Sequence, residues 1–334
     1  MSRSNLYSTF SRDIEWITEK ILADHNSLPN ELMLSSDYFL KERLVILTDE
    51  KNKDKTKNFD PEVGRPVPYI VMWLADAFNY TEKSTREIAL GLVYSAIATT
   101  IKDDYYDEMN PSKILLRLYD HYYLKYLSSF SMINEDSHFW YVLSYCIKQH
   151  KEYDEWYLNY KHKPGSVALS DDFLSRASQY FNAVVLPSMA AIAFLSGNED
   201  KIDNIKRFLS NFSKAWRIYD DLVDWKKDIN KENYNLNTVL LSAHKKNYSR
   251  LTKDDLYLNI LEEDFICEIY DKMVNYLQES QRSIKEINGK YLDKFILGQI
   301  NFHKTRKRIL LERSKQFKED FIKNIENVLA KTDP

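Results

Sequence analysis

The stretch TEKSTREIALGLVYSAIATTIKDDYYD, residues 81–107, decides the fold. It opens on a capping threonine and a charged first turn, becomes apolar on nearly every side, and is stopped by Pro111. A helix with no polar face belongs in the middle of a bundle. Its final residues are the surprise: IKDDYYDE, 101–108, sets like charges at the end of an apolar segment, where repulsion and desolvation both cost free energy. Carboxylates so placed usually have a cation to hold.

Working outward, a second helix runs from Ile202 to Asp228, keeping the helical period through Ile205, Phe208, Phe212, Trp216, Tyr219 and Val223. It too ends in acids, DDLVDWKKD at 220–228. The same spacing predicts helices near residues 4–24, 66–79, 114–128, 137–160, 171–195, 254–285 and 290–330. With only 6 Gly and 8 Pro in 334 residues, the fold should be nearly all-α. No Pro/Gly/Ser-rich linker divides the chain, so one domain over 1–334 is expected. Polar stretches at 48–64 and 226–237 read as loops. There is no repeat of solenoid length and no Gly-rich phosphate loop, which counts against nucleotide binding of the Walker or dinucleotide kind.

Composition sets outer limits. With 44% hydrophobic and 29% charged residues the chain can bury a large core. A net charge of −3 gives no electrostatic footprint for nucleic acid or an anionic membrane, so a bound anion must be held locally. Cys146 and Cys267 have neither metal nor redox spacing, and read as reduced thiols in a cytoplasmic protein. The N-terminal residues lack an apolar signal region, and no run approaches the ~18 apolar residues of a membrane span.

Asp103 and Asp107 are four residues apart and share a helical face, with Asp104 about 100° round the helix. Asp220, Asp221 and Asp224 repeat the pattern, so Asp-Asp-x-x-Asp occurs twice. If the two helices face each other, these carboxylates converge on a polar mouth above an apolar interior. Hard oxygens at this spacing suit Mg²⁺, which completes its shell with water and substrate phosphate. Asp103, Asp107, Asp220 and Asp224 are the candidate catalytic groups, and all six aspartates candidate metal ligands.

Over residues 60–230 the chain resembles the trans-isoprenyl diphosphate synthase superfamily, including its class I terpene synthase branch. The likeness extends beyond the acids to VGRPVPYIVMWLADAFN (63–79), SGNED (196–200) and KAWRIYDDLVD (214–224). It implies a single class I isoprenoid synthase domain, a helical bundle around a central apolar cavity. It implies three Mg²⁺, a prenyl diphosphate substrate and a homodimer. The resemblance departs at three places. DEMNPSKILLRLYDHYY follows the first motif where elongating members carry Arg-Arg-Gly, the usual Gly-Lys before Arg65 is missing, and Arg217 stands where they have glutamine. The first two are losses of groups associated with co-substrate or diphosphate binding, and they favour ionisation of one substrate over joining two.

On this reading Arg65, Arg176, Arg217, Lys226 and Lys227 share the charge of the diphosphate. Trp73, Tyr94, Tyr105, Phe181, Trp216 and Tyr219 supply rings that can stabilise an allylic cation. In this family the residues one to two turns before the first motif floor the chain pocket. Ser95, Ala98 and Thr99 are small, so a long tunnel is expected. The leading expectation is a Mg²⁺-dependent terpene synthase that cyclises a C20 or C25 prenyl diphosphate. The alternative is a prenyltransferase using the same ionisation step. A non-catalytic helical subunit would not need both acid motifs, and a phosphohydrolase would need paired His and Asp, whereas His162 and His303 stand isolated in sequence.

Overall fold

The computed structural model describes residues 9–38, 40, 67–107, 112–135, 137–161, 171–230 and 262–332. Of these, the side chains of 38, 107, 159–161, 171, 224–230 and 325–332 are not described. Among the described residues there are ten α-helices, one 3₁₀ turn at Glu199–Lys201 and no strand. In chain order the helices are α1 (Ser11–Asn26), α2 (Asn30–Tyr38), α3 (Tyr69–Ala77), α4 (Ser84–Asp107) and α5 (Lys113–Ser128). They continue as α6 (Phe139–Lys161), α7 (Asp171–Leu195), α8 (Ile202–Asn230), α9 (Glu263–Lys285) and α10 (Lys290–Thr332). The all-α expectation holds.

Three differences from the sequence reading have physical causes. α2 is absent from that reading, because nine residues of mixed polarity carry too little periodicity; its Leu32 and Ser36 are nevertheless buried. α1 begins only at Ser11, with Thr9 and Phe10 in a turn. α8 continues to Asn230, into the stretch expected to leave the helix, since no Gly or Pro interrupts it and Lys226 and Lys227 are good helix formers. The rest of that stretch and all of 48–64 lie outside the described residues. α7 carries one further surprise: Asp172–Leu195 is long and apolar enough to cross a membrane, yet 67% of that window is buried in the protein, as in a core helix.

Backbone contacts divide the chain into two compact units. The first comprises Met1–Gln149, Phe181–Leu209 and Ser283–Phe295; the second comprises His150–Tyr180, Ser210–Arg282 and Ile296–Pro334.

In the first unit α4 lies among α5, α3 and α1. Ile88, Ala89, Leu92, Val93, Ile97, Ala98 and Ile101 are each at most 2% exposed, which accounts for the helix having no polar face. Burying an aliphatic side chain of this size stabilises by ~1.5–3 kcal/mol, and α3 adds a continuous buried run from Ile70 to Ala75. A polar tie holds the layers in register: Asp24 of α1 accepts from Tyr94 Oη of α4 and from Lys125 Nζ of α5 at 2.9 Å. Beside it Tyr122 Oη and Ser36 Oγ lie 2.7 Å apart, joining α5 to α2. The turns that deliver the long helices are closed by left-handed residues. Asn79 (φ 54°) follows α3 and Gly197 (φ 68°) follows α7, each with the next residue's N–H bonded back five residues, to Ala75 O and Ala193 O at 2.8 Å.

In the second unit α9 and α10 run antiparallel. Lys307 meets Asp271 at 2.7 Å and Lys318 meets Glu263 at 2.9 Å, the pairing order that antiparallel helices require. Between them Ile269, Tyr270 and Met273 of α9 and Ile296, Gln299, Ile300 and His303 of α10 are buried.

Gly91 sits mid-helix in α4, where glycine costs ~0.5–1 kcal/mol relative to alanine. It is there because α5 comes too close for a side chain: a Cβ would fall 2.1 Å from Ser129 Oγ and 2.6 Å from Ser129 Cβ. Gly91→Ala is expected to lower stability by ~1–3 kcal/mol despite its better helix propensity, and Ser129→Gly in the same chain to recover part of the loss. A thermal denaturation cycle over the four proteins checks this; no interaction between the two substitutions would contradict the close approach.

Candidate functional site

The first acid motif closes α4. Asp103 is exposed and Asp104 half-buried, and Lys102 immediately before them has its Nζ 5.8 Å from the rings of both Tyr106 and Tyr119. A cation is thus held between two aromatic faces at the edge of the acid group. Being within the last turn, the carboxylates oppose the helix dipole by ~0.3–1 kcal/mol each. Asp107 ends the helix, but its side chain is not among those described. One to two turns earlier Ser95, Ala98 and Thr99 lie on one face, and all three are buried.

The second motif is built differently. α8 runs past Asp224 to Asn230, so its acids do not sit at a helix end and the dipole does not act on them as it does on the first motif. They meet a cation instead. Arg217, one turn earlier, reaches Asp221 at 2.9 Å and Asp220 at 3.6 Å. Asp221 is 4% exposed, so this guanidinium is its compensation for lost water. Burial works against the charge on Arg217, yet Asp221, Asp220 and the nearby Tyr153 and Tyr157 outweigh it and push its pKa above the usual arginine value. Arg217 Nε is buried with no hydrogen-bond partner, leaving one donor of the fork unused.

The remaining candidates are spread over both units. Trp216 and Tyr219 lie one turn apart on α8 with ring centroids 6.1 Å apart. Trp73 is wholly buried in the first unit, stacked on Tyr69 at 5.6 Å and against Phe295 at 5.4 Å. Tyr94 is turned toward α1 and α5 by its bond to Asp24 and lies 5.9 Å from the ring of Tyr122. Tyr105 and Phe181 are half-buried. Arg176 pairs with Asp172 at 3.4 Å on an exposed stretch of α7. Arg65 and His162 lie outside the described residues, as do the side chains of Asp224, Lys226 and Lys227.

Among the described residues no three carboxylate, imidazole or thiol groups converge as a metal site. The third acid of each motif is an undescribed side chain, and the described pairs, Asp103 with Asp104 and Asp220 with Asp221, are hard oxygen donors of the class Mg²⁺ takes.

No protein-family model matches the chain, and no curated protein sequence does. Solved structures do. Geranylgeranyl pyrophosphate synthetase from the archaeon Geoglobus acetivorans aligns over 87% of this chain and 99% of its own, at TM-score 0.66 and 15% identity. The geranylgeranyl pyrophosphate synthase of Lactobacillus brevis gives TM-score 0.67 at 12% identity over 90% and 100%. Polyprenyl synthase from Caulobacter crescentus, solved with calcium and isoprenyl diphosphate, gives 0.64 at 12% over 90% and 97%. The chain has the fold of the trans-isoprenyl diphosphate synthase superfamily. At these identities the likeness establishes the fold, and the chemistry must be argued from the residues.

Within this fold His303, isolated in the sequence, is a buried structural residue, 3% exposed. Its ring lies 5.1 Å from Tyr219, 5.2 Å from Phe302 and 6.1 Å from Tyr270, and its Nδ1 is buried without a hydrogen-bond partner. Burial, helped by Arg306, pushes its pKa down to about 4. A signal exists in the sequence: Ile296, Gln299, Ile300 and His303 fall on one helical stripe, so His303 continues an apolar face.

Both charged centres are open to measurement. Arg217→Gln removes the guanidinium from a buried carboxylate and should cost ~2–4 kcal/mol, whereas Arg217→Gln with Asp221→Asn should recover most of it. Equal melting temperatures for the single and double variants would contradict the pairing. For His303 the folded state binds its proton more weakly than the unfolded chain. Its contribution is therefore intact above pH ~6.5 and lost as pH falls toward about 4, by ~2 kcal/mol at pH 5. Denaturant titrations between pH 4.5 and 7.5 should show that slope in the native chain and lack it in His303→Phe.

Proposed function

We propose that this chain is a Mg²⁺-dependent enzyme, a single synthase domain over residues 1–334, that ionises an allylic prenyl diphosphate and transfers the prenyl group to an acceptor. The observation that carries the proposal is the pair of Asp-Asp-x-x-Asp motifs on α4 and α8 of a chain with this fold. The neighbours in fold are geranylgeranyl and polyprenyl synthases, which supports prenyl transfer ahead of cyclisation. Asp103, Asp104 and Asp107, and Asp220 and Asp224, would be the groups that hold metal for the diphosphate. Bound Mg²⁺ would neutralise diphosphate charge and so favour heterolysis of the allylic C–O bond.

The chain's own residues then have distinct roles. Asp221 is engaged by Arg217, which fits a fixed counter-ion rather than a metal ligand. The unused Nε of Arg217 is suited to a diphosphate oxygen, with Arg65, Arg176, Lys226 and Lys227 as further candidates. When the C–O bond breaks, its electron pair leaves with the diphosphate, and the allylic carbon becomes cationic. The Trp216 and Tyr219 rings offer π faces to it, with Trp73, Tyr94 and Phe181 as the other ring candidates. The small side chains of Ser95, Ala98 and Thr99, all buried, would suit a long chain lying along that face.

A second reading, cyclisation of one C20 or C25 substrate, is favoured by a specific feature. The stretch after Asp107 has no Arg-Arg-Gly and no Gly-Lys pair precedes Arg65, which removes groups that resemble those serving a second diphosphate. One assay separates the readings. Purified chain with Mg²⁺ is given C10, C15, C20 and C25 all-trans diphosphates, each with and without isopentenyl diphosphate, and products are extracted for mass analysis. Longer diphosphates formed only with the second substrate are the expected result, and hydrocarbon from a single substrate would select cyclisation. Asp103→Asn and Asp220→Asn should each reduce turnover on the order of 10²-fold or more with the helical fold intact. Diphosphate release from none of the mixtures, or full activity in both variants, would refute the proposal.

A further inference from the structure

The last helix outruns its partner. α9 begins at Glu263, whose carboxylate meets Lys318 of α10 at 2.9 Å. α10 continues to Thr332, so about fourteen residues, roughly 21 Å of helix, run on past the start of the helix it pairs with. Every residue from 315 to 324 is exposed, so over nearly three turns this helix packs no face on the protein. Its composition is not that of a helix made for water on all sides. Phe317, Phe321 and Ile322 are 45%, 57% and 56% exposed, and the two phenyl rings stack on each other at 6.5 Å. Apolar side chains grouped in this way on an outer surface mark a place of contact.

The charges around the patch select its partner. At the helical period Phe317, Phe321 and Ile322 share one arc, and in sequence Ile325, Val328 and Leu329 continue it. Arg313 and Lys315 fall on the two sides of that arc, while Glu312, Glu319 and Asp320 fall behind it with Lys323. Residues 304–324 carry eight Lys or Arg against three Asp or Glu, in a chain whose overall charge is −3. Two copies laid stripe against stripe would bring the flanking cations together whichever way the helices ran, and like charges there oppose pairing. Nucleic acid would meet the cations but leave the apolar arc in water. An anionic bilayer answers both features: its headgroups meet the cations, and the region beneath them takes the rings while the lysine and arginine stems lie alongside.

We propose that the exposed end of α10 docks on an anionic lipid bilayer, lying in the plane of the interface with Phe317, Phe321 and Ile322 inserted. The ion pairs on this stretch do not stand in the way. Lys315 meets Glu319 at 3.9 Å with both side chains more than half exposed, and a pair so placed holds its partners weakly. The attachment is to a surface, since charges interrupt the segment too often for it to span. Docking stands independently of the reading of the acid motifs. On that reading it would bring an enzyme with apolar prenyl products to the phase that dissolves them.

The test floats the full-length chain with vesicles of phosphatidylcholine, alone or with about 30% phosphatidylglycerol, in about 0.1 M and about 0.5 M salt. The native chain should bind the anionic vesicles, and binding should fall ~10-fold or more when phosphatidylglycerol is left out or the salt is raised. Phe317→Ser with Phe321→Ser should weaken binding ~10²-fold, and Arg313→Gln with Lys315→Gln ~10-fold. Melting temperatures should be unchanged in both, because all four side chains are exposed. No binding by the native chain, or equal binding by the phenylalanine variant, overturns the proposal. A dimer in lipid-free sedimentation that the phenylalanine variant loses also overturns it, since the stripe then belongs to a second copy. A drop of several degrees in that variant's melting temperature does the same, by assigning the rings to the chain's own core.

Discussion

The hardest constraint in this molecule falls on α4, which must be buried along nearly its whole length and still deliver carboxylates at its C-terminal end. Burial removes the option of a polar face, so every neighbouring helix must supply apolar surface to it. α3 does so with an unbroken buried run, and α5 does so at such close range that residue 91 cannot carry a side chain. Of the polar groups α4 commits to the interior, the Tyr94 hydroxyl is answered by Asp24 and through it by Lys125. A helix held from all sides cannot relax its end away from the charges there, and so Asp103 and Asp104 stay where the backbone carbonyls already oppose them.

α8 meets the same difficulty by another route. Its acids lie within the helix, where the dipole is not the adversary, but Asp221 is nearly removed from water. The answer is Arg217 at i−4, held charged by the carboxylates it serves. The two motifs are therefore alike in sequence and unlike in setting: Asp103 of the first is exposed beside Lys102, which two rings hold to the side, while Asp220 and Asp221 of the second share a guanidinium.

Most of the fold is legible because it is written in a 3.6-residue period, and long helices such as α4, α7, α8 and α10 repeat that period many times. α2 is illegible for the converse reason, since its place depends on Ser36 meeting Tyr122 from a helix far along the chain. The acids are legible from type and spacing alone. What cannot be read is which of them the protein keeps for itself. The i, i+4 interval between Arg217 and Asp221 is visible, but the burial that makes it an obligatory pair is not. His303 looks isolated in sequence because its companions Tyr219 and Tyr270 come from α8 and α9, and nothing local in KTRKR or NFH announces them.

Identities of 12–15% to the synthases that share this fold leave the choice of chemistry to a small number of side chains. Joining two substrates requires cations enough to hold two diphosphates, and those beyond bound metal would have to be placed locally by the protein, because a net charge of −3 offers no general attraction. Ionising one substrate requires fewer. Arg217 bears on this balance twice. Its Nη atoms are spent on Asp221 and Asp220, so it adds no free charge to the site, and only its Nε remains to be offered outward. A glutamine at that position could not hold Asp221, and the buried carboxylate would then need another cation. The identity of residue 217 is thus tied to the stability of the second motif.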